Sequence, residues 1–160
     1  MFDAYTYFQE ICNSLKLTAA TYKFTRSTGL PYMEEVLWNF KTQTAFFCVD
    51  DTNDGTTIRG AGGGFFDRRM YVVYLLKRYK LNDMTAQHAA LEETRSIYRS
   101  IQSKLVLDRA ALANNMTYLQ LERLPYYEIP GAAFNGATGV YFMITVDTPK
   151  NLQYDASEWN

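Results

Sequence analysis

The feature of this sequence that most constrains its fold is the run from Phe65 to Lys80, FFDRRMYVVYLLKRYK. Its middle, Met70 to Leu76, is apolar at successive positions, so a strand formed by this run has two apolar faces. Such a strand needs cover on both sides, from helices or from another subunit. The charged groups at its two ends, Asp67-Arg68-Arg69 and Lys77-Arg78-Tyr79-Lys80, are typical of solvated strand ends and are also candidates for contact with an acidic partner. The run therefore predicts a central strand.

Amphipathic segments on either side of this run supply the helical cover. Apolar residues recur at helical spacing from Asp3 to Lys16, and Pro31 can open a second helix that ends at about Lys41. A cap at Asn82 or Asp83 predicts a long helix to about Arg109. Its apolar stripe comprises Met84, Leu91, Tyr98, Ile101 and Leu105.

The remaining apolar runs predict strands. They are Thr44 to Asp50, Met116 to Glu128, and Thr138 to Asp147, with a short extended piece from Thr21 to Arg26 and a loop PGAAFNGATG before the last strand. The order helix, helix, strand, strand, helix, strand, strand predicts one α+β domain spanning residues 1–160. We expect a largely antiparallel four-stranded sheet packed with two or three helices, with one long helix between strands 2 and 3.

Composition favours a protein that binds other proteins. Aromatic residues make up 16% of the chain, including 13 Tyr and 10 Phe, so we expect some of them to face outward. Lys and Arg number 16 against 17 Asp and Glu, which argues against a specific nucleic-acid or acidic-membrane partner. No stretch approaches the roughly 20 apolar residues that span a bilayer. The segment at about 148–160 carries Pro149, Leu152, Tyr154 and Trp159, which predicts that it docks on a surface.

The glycine run Gly60-Ala61-Gly62-Gly63-Gly64 does not match a nucleotide-binding motif. Phe65 stands where a dinucleotide fingerprint needs its third glycine, and the run precedes a strand, whereas the fingerprint opens a helix. The run instead predicts a flexible hairpin arm at about 51–64. Asp50 to Gly55 resembles the start of a calcium loop, but position twelve is Ala61, so a turn is the better interpretation.

Few residues in this chain are suited to catalysis. His88 is the only histidine, and its position beside the apolar stripe of the long helix predicts a packed, structural role. Cys12 and Cys48 lie in apolar patterns, which predicts two buried thiols without a disulfide. We therefore expect no catalytic residues, no cofactor and no metal.

Three stretches of the sequence carry a family resemblance: FTRSTGLPYMEEVLWNFKTQTAFFCVDDTNDG, FFDRRMYVVYLLKRY and GATGVYFMITVDTPKNLQYDASEW. In their order and residue pattern they resemble the tail-terminator or tail-completion (neck) proteins of tailed bacteriophages and prophages. It implies a structural virion protein, assembled in the bacterial cytoplasm, that forms a ring, commonly a hexamer, at the head-proximal end of the tail. It also implies contact with the tail tube protein and the head-tail connector or stopper, and a lumen through which DNA can pass.

An interface hypothesis follows for the arm, the charged strand end and the last segment. Its residues are Gly60, Gly62, Gly63, Gly64, Phe65, Arg68, Arg69, Tyr154 and Trp159. The alternative for Trp159 is that it packs on its own domain as a lid. The alternatives for function are a head-tail adaptor, a stopper or a tail-tube subunit, and, in a different class, a small-ligand or regulatory binding domain.

Overall fold

The computed structural model describes residues 1–113 and 118–160. Within these residues the chain forms four α-helices and six β-strands. The helices are α1 (Ala4–Ser14), α2 (Lys16–Ala19), α3 (Tyr32–Asn39) and α4 (Met84–Ala110). The strands are β1 (Tyr22–Ser27), β2 (Ala45–Asp50), β3 (Asp54–Arg59), β4 (Phe65–Arg78), β5 (Tyr126–Phe134) and β6 (Ala137–Lys150), followed by a short 3-10 helix, Ala156–Glu158.

The six strands form one mixed sheet in the order β1-β2-β4-β6-β5, and β3 also pairs with β4. β1 and β2 are parallel, and the other pairs are antiparallel. β4 pairs with β6 along its whole length, from Phe65 opposite Lys150 to Arg78 opposite Ala137. The prediction of a central strand at this run is therefore confirmed.

Helices cover the two faces of the sheet unequally. On one face, α1 and α4 enclose the main core, in which Phe8 and Ile101 pack with Val73, Leu75 and their neighbours. On the other face, the short α3 contributes Met33 and Val36 and covers only part of the sheet. The sheet thus has one fully covered face and one half-covered face.

The prediction of a four-stranded antiparallel sheet is wrong, although the α+β class fits. The extended piece at 21–26 is a sheet strand, β1, and it pairs in parallel with β2. The strand expected from Met116 to Glu128 begins only at Tyr126 and runs on to Phe134, while residues 116 and 117 lie outside the described part. The true turn is Asn135-Gly136, where Gly136 has φ +99°. Pro130 and Gly131 lie at a register shift of the strand pairing, which explains why they do not end β5.

The helical predictions need smaller corrections. The long helix follows the run Phe65 to Arg78 as expected, but that run is the fourth strand and not the second. Asp83 is its cap and accepts a hydrogen bond from the Ala86 backbone N–H. Met84 is 75% exposed and His88 is also exposed, so neither belongs to the buried stripe. That stripe begins at Ala90.

Among the described residues, no helix is both long and apolar enough to span a membrane.

Candidate interaction surface

A three-stranded β arm extends the sheet at one end of the molecule. It consists of β3, the first half of β4 and the second half of β6, with β4 in the middle. The region predicted as a flexible arm at 51–64 is therefore mostly a strand and its turn. All residues of β3 except Ile58 are exposed. Because neither face of β3 is buried, no apolar alternation marks it in the sequence.

The glycine run forms the turn at the tip of this β arm. The Gly60 backbone N–H donates to the Gly64 carbonyl at 2.8 Å, and the Gly63 N–H donates to the Gly60 carbonyl at 2.9 Å. Gly63 has φ +87°, a conformation that favours glycine. Phe65 is exposed beside this turn, and the Arg59 guanidinium lies 5.9 Å from its ring centre. The tip thus presents an aromatic ring on a compact turn.

Arg68 and Arg69 are paired within the β arm. Arg68 donates from Nε and Nη2 to the two carboxylate oxygens of Asp147, at 2.7 and 2.8 Å. Gln120 adds a third hydrogen bond to Asp147 at 3.1 Å, and Arg69 donates to Asp67 at 2.7 Å. The hydrogen bonds that Arg68 donates to Asp147 raise the pKa of Arg68, and the one that Arg69 donates to Asp67 raises the pKa of Arg69. These arginines brace the β arm, so their charge is already matched inside the subunit.

The last ten residues, 151–160, form an exposed tail. Tyr154 is 70% and Trp159 68% exposed, and their rings stack on each other with centres 6.0 Å apart. Asp155 accepts hydrogen bonds from the backbone N–H and the hydroxyl of Ser157, which lowers the pKa of this carboxyl group. Trp159 therefore does not pack on the domain as a lid. The tail is locally ordered but leaves its aromatic side chains in solvent.

A cleft lies on the half-covered face of the sheet, beyond the reach of α3. Tyr127 stacks on Tyr141 with ring centres 5.1 Å apart, and Tyr141 lies 5.6 Å from Tyr74. We call the neighbouring cleft, about 500 Å³ in volume, the sheet cleft. It is lined by Arg68, Met70, Gln120, Glu122, Arg123, Pro125, Tyr127, Met143 and Thr145. Its floor is apolar, and its rim carries charge.

Part of the predicted interface lies at one end of the molecule. The glycine turn and Phe65 form the tip of the β arm, and Phe65 pairs with Lys150, the residue after which the tail begins. The tail therefore starts beside the tip, although the two are far apart in sequence. The sheet cleft was missed. Tyr141 and Met143 alternate with the buried Phe142 and Ile144, so β6 is apolar on both faces, and that pattern could have indicated a second surface.

Groups suited to catalysis do not converge on this surface. Within the described residues, no three His, Cys, Asp or Glu side chains are placed to hold a metal ion. Cys12 and Cys48 are free and buried, and burial raises the pKa of both thiols. Asp50 accepts hydrogen bonds from the Thr52 N–H and hydroxyl at 2.9 and 2.7 Å. Both β2 and β3 pair antiparallel with β4, so the chain keeps its direction through the calcium-like stretch and does not form the predicted tight turn.

No protein-family model matches this chain, and no curated protein matches it with significance. The surface itself is therefore the basis for a functional proposal.

Proposed function

We propose that this protein is a structural subunit that assembles with copies of itself into a closed ring through the β arm and the exposed tail. The observation that carries the proposal is an open strand edge, that of β3, beside the start of a tail that carries an exposed aromatic pair. Both features are unfavourable in an isolated subunit, because open edges and exposed aromatic rings invite association.

The strand edges support a head-to-tail arrangement. Among the described residues, β3 pairs only with β4, so its outer edge has unpaired backbone groups. On the opposite side of the β arm, the edge of β6 that faces away from β4 has no partner strand beyond Val146 among the described residues. A contact between two different edges is heterologous, and a heterologous contact generates a ring when the rotation closes. Strand addition at such edges gives affinity through main-chain hydrogen bonds.

The tail supports the same arrangement. Trp and Tyr are the residue types most enriched among interface hot spots, where truncation costs about 2 kcal/mol or more. Tyr154 and Trp159 are both exposed in the isolated subunit and are already stacked. Because these two side chains are already stacked, the tail loses less conformational entropy when it binds.

The resemblance to phage neck proteins makes the proposal more specific. We propose a tail-terminator or tail-completion subunit, a virion component at the head-proximal end of a phage tail, whose ring is a hexamer. Its partners are then copies of itself, the tail tube protein and the head-tail connector or stopper. A ring subunit needs exposed seams and no active site, so we propose that the protein is not an enzyme.

Light scattering over a range of protein concentrations tests the self-assembly. We expect the mass to rise with concentration from that of one chain, 18.5 kDa, to that of a closed ring, and then to stop rising. A closed ring ends growth because every edge is used. A chain that stays monomeric at all concentrations would contradict the proposal and favour the ligand-binding alternative.

A further inference from the structure

We infer that the exposed tail, residues 151–160, of one copy binds in the sheet cleft of the next copy. This inference rests on the proposed ring. The inference adds the surface that receives the tail, which is a face of the sheet, whereas the proposed function names only the strand edges and the tail. The tail and the sheet cleft are the donor and the acceptor of one repeating contact.

The side chains of the two surfaces are complementary. The sheet cleft has an apolar and aromatic floor that includes Met70, Met143 and Tyr127. The tail presents the stacked pair of Tyr154 and Trp159. Aromatic rings favour offset or edge contacts with other rings and with the sulfur of methionine. A volume of about 500 Å³ is large enough to take an aromatic side chain from another chain.

One charge on the rim of the sheet cleft is available to the tail. Residues 151–160 contain Asp155 and Glu158 and no Lys or Arg. The lining contains Arg68, Arg123 and Glu122, and Arg68 is already matched by Asp147. The rim therefore has no net charge, but Arg123 is exposed and makes no ion pair among the described residues. Arg123 is the counter-charge that the rim offers to Asp155 or Glu158.

The area that the tail alone can bury is too small for a stable interface, so its partner must also bind through a strand edge. Each aromatic side chain buries about 150–250 Å², so the aromatic pair accounts for about 300–500 Å². A stable interface buries about 800 Å² from each partner. The tail thus supplies about half of a stable seam, and the edge of β3 or β6 has to supply the rest. This is why we place the tail on a second copy and not on an unrelated peptide-binding partner.

The direction of β6 favours a neighbouring copy over the chain's own cleft. Lys150 pairs with Phe65 at the tip of the β arm, whereas Met143 of the sheet cleft pairs with Val72. Met143 and Lys150 are seven positions apart along the extended strand β6, which is a distance of about 23 Å. The tail leaves β6 at the tip, and all of its residues are exposed. A tail that reached its own cleft would have to reverse its direction at once.

Cysteine cross-linking between two variants tests this contact. One copy carries Asn160→Cys, next to Trp159, and the other carries Met143→Cys, so the aromatic pair of the tail stays intact. The mixture is oxidised at about 10 µM protein, far below a millimolar effective concentration. A docked pair has an effective concentration in the millimolar range, so we expect mixed dimers to form at least about tenfold faster than by random collision. The native Cys12 and Cys48 are buried and do not compete.

Met84→Cys is the matched control for the receiving copy, because Met84 is an exposed methionine outside the sheet cleft. Gln153→Cys mixed with Thr145→Cys is a second pair, which protects the test against a folding defect at Met143 and leaves the aromatic residues of both surfaces in place. Circular dichroism checks that each variant is folded.

Three outcomes would overturn the inference. The first is equal cross-linking to Met84→Cys and Met143→Cys by a folded protein. The second is an intramolecular cross-link in a monomeric chain that carries both Asn160→Cys and Met143→Cys, which would mean that the tail binds its own cleft. The third is a wild-type chain that stays monomeric in light scattering. Only the third also contradicts the proposed function, so the two failures can be distinguished.

Discussion

At the residue scale, the closest packing of the sheet depends on a glycine. Gly139 lies in β6 opposite Leu76 of β4. A Cβ atom added to Gly139 would lie 1.8 Å from the Leu75 carbonyl oxygen, which belongs to the backbone and cannot rotate away. The two central strands therefore approach each other at a distance that only glycine permits. Moving β4 and β6 apart at Gly139 would disturb the central strand pair, which contributes side chains to both faces of the sheet.

We expect Gly139→Ala to lower the free energy of unfolding by about 3 kcal/mol or more, since β4 and β6 must separate to admit the methyl group. Gly62→Ala is the matched control, because nothing lies within 4 Å of a Cβ atom at Gly62 in the arm turn. Its effect should stay within about 0.5 kcal/mol. Urea denaturation followed by circular dichroism measures both. Equal stabilities of the two variants would contradict this account of the sheet.

At the element scale, the sequence predicted the elements that are buried on a regular face. β4 and α4 were found because an apolar run and a capped amphipathic helix leave clear periodic signals. β3 was missed because its residues are exposed and polar. β5 was displaced because Pro130 and Gly131 suggest a loop, whereas the structure places them at a register shift in the strand pairing. Tertiary pairing, and not local preference, decides these two strands.

Part of the candidate surface was also predictable from the sequence, and part was not. Tyr154, Trp159 and the glycine run stood out by composition, and the structure starts the tail that carries both aromatic residues beside the glycine turn. The pairing of Arg68 with Asp147 was not predictable, because 79 residues separate them in the chain. The sheet cleft was also missed, since its exposure depends on how little of the face the eight-residue α3 covers.

The β arm gives a prediction about local stability. We expect the backbone amides of β3 and of residues 60–64 to exchange hydrogen quickly in the free subunit and slowly after assembly. Strands with few buried contacts open at low cost, and pairing with a neighbour removes that opening. The amides in the middle of β4 serve as the control, because they are buried in both states. Hydrogen exchange with mass spectrometry measures these rates, and equally slow exchange of β3 in both states would contradict the prediction.

At the scale of the whole molecule, the core and the proposed seam occupy different parts of the same sheet. The face of the sheet that α1 and α4 cover stabilises the subunit, because Phe8, Phe47 and Phe142 are fully buried there. β3, the arm turn and the tail add no residue to that core, whereas Ile144 and Val146 of β6 join the β arm to it. This separation allows the seam to vary or to open without unfolding the subunit.

A density map of the assembled particle, obtained by electron cryomicroscopy at a resolution that shows side chains, tests the central claim most directly. We predict a closed ring in which each seam contains the edge of β3 from one copy and the edge of β6 from the next. Tyr154 and Trp159 should lie against Tyr127 and Met143 of the adjacent copy. A ring whose seams are formed elsewhere, with the β arm and the tail left in solvent, would contradict the account. One such place is the surface groove between α1 and α4, which Ser14, Leu15 and Leu107 help to line.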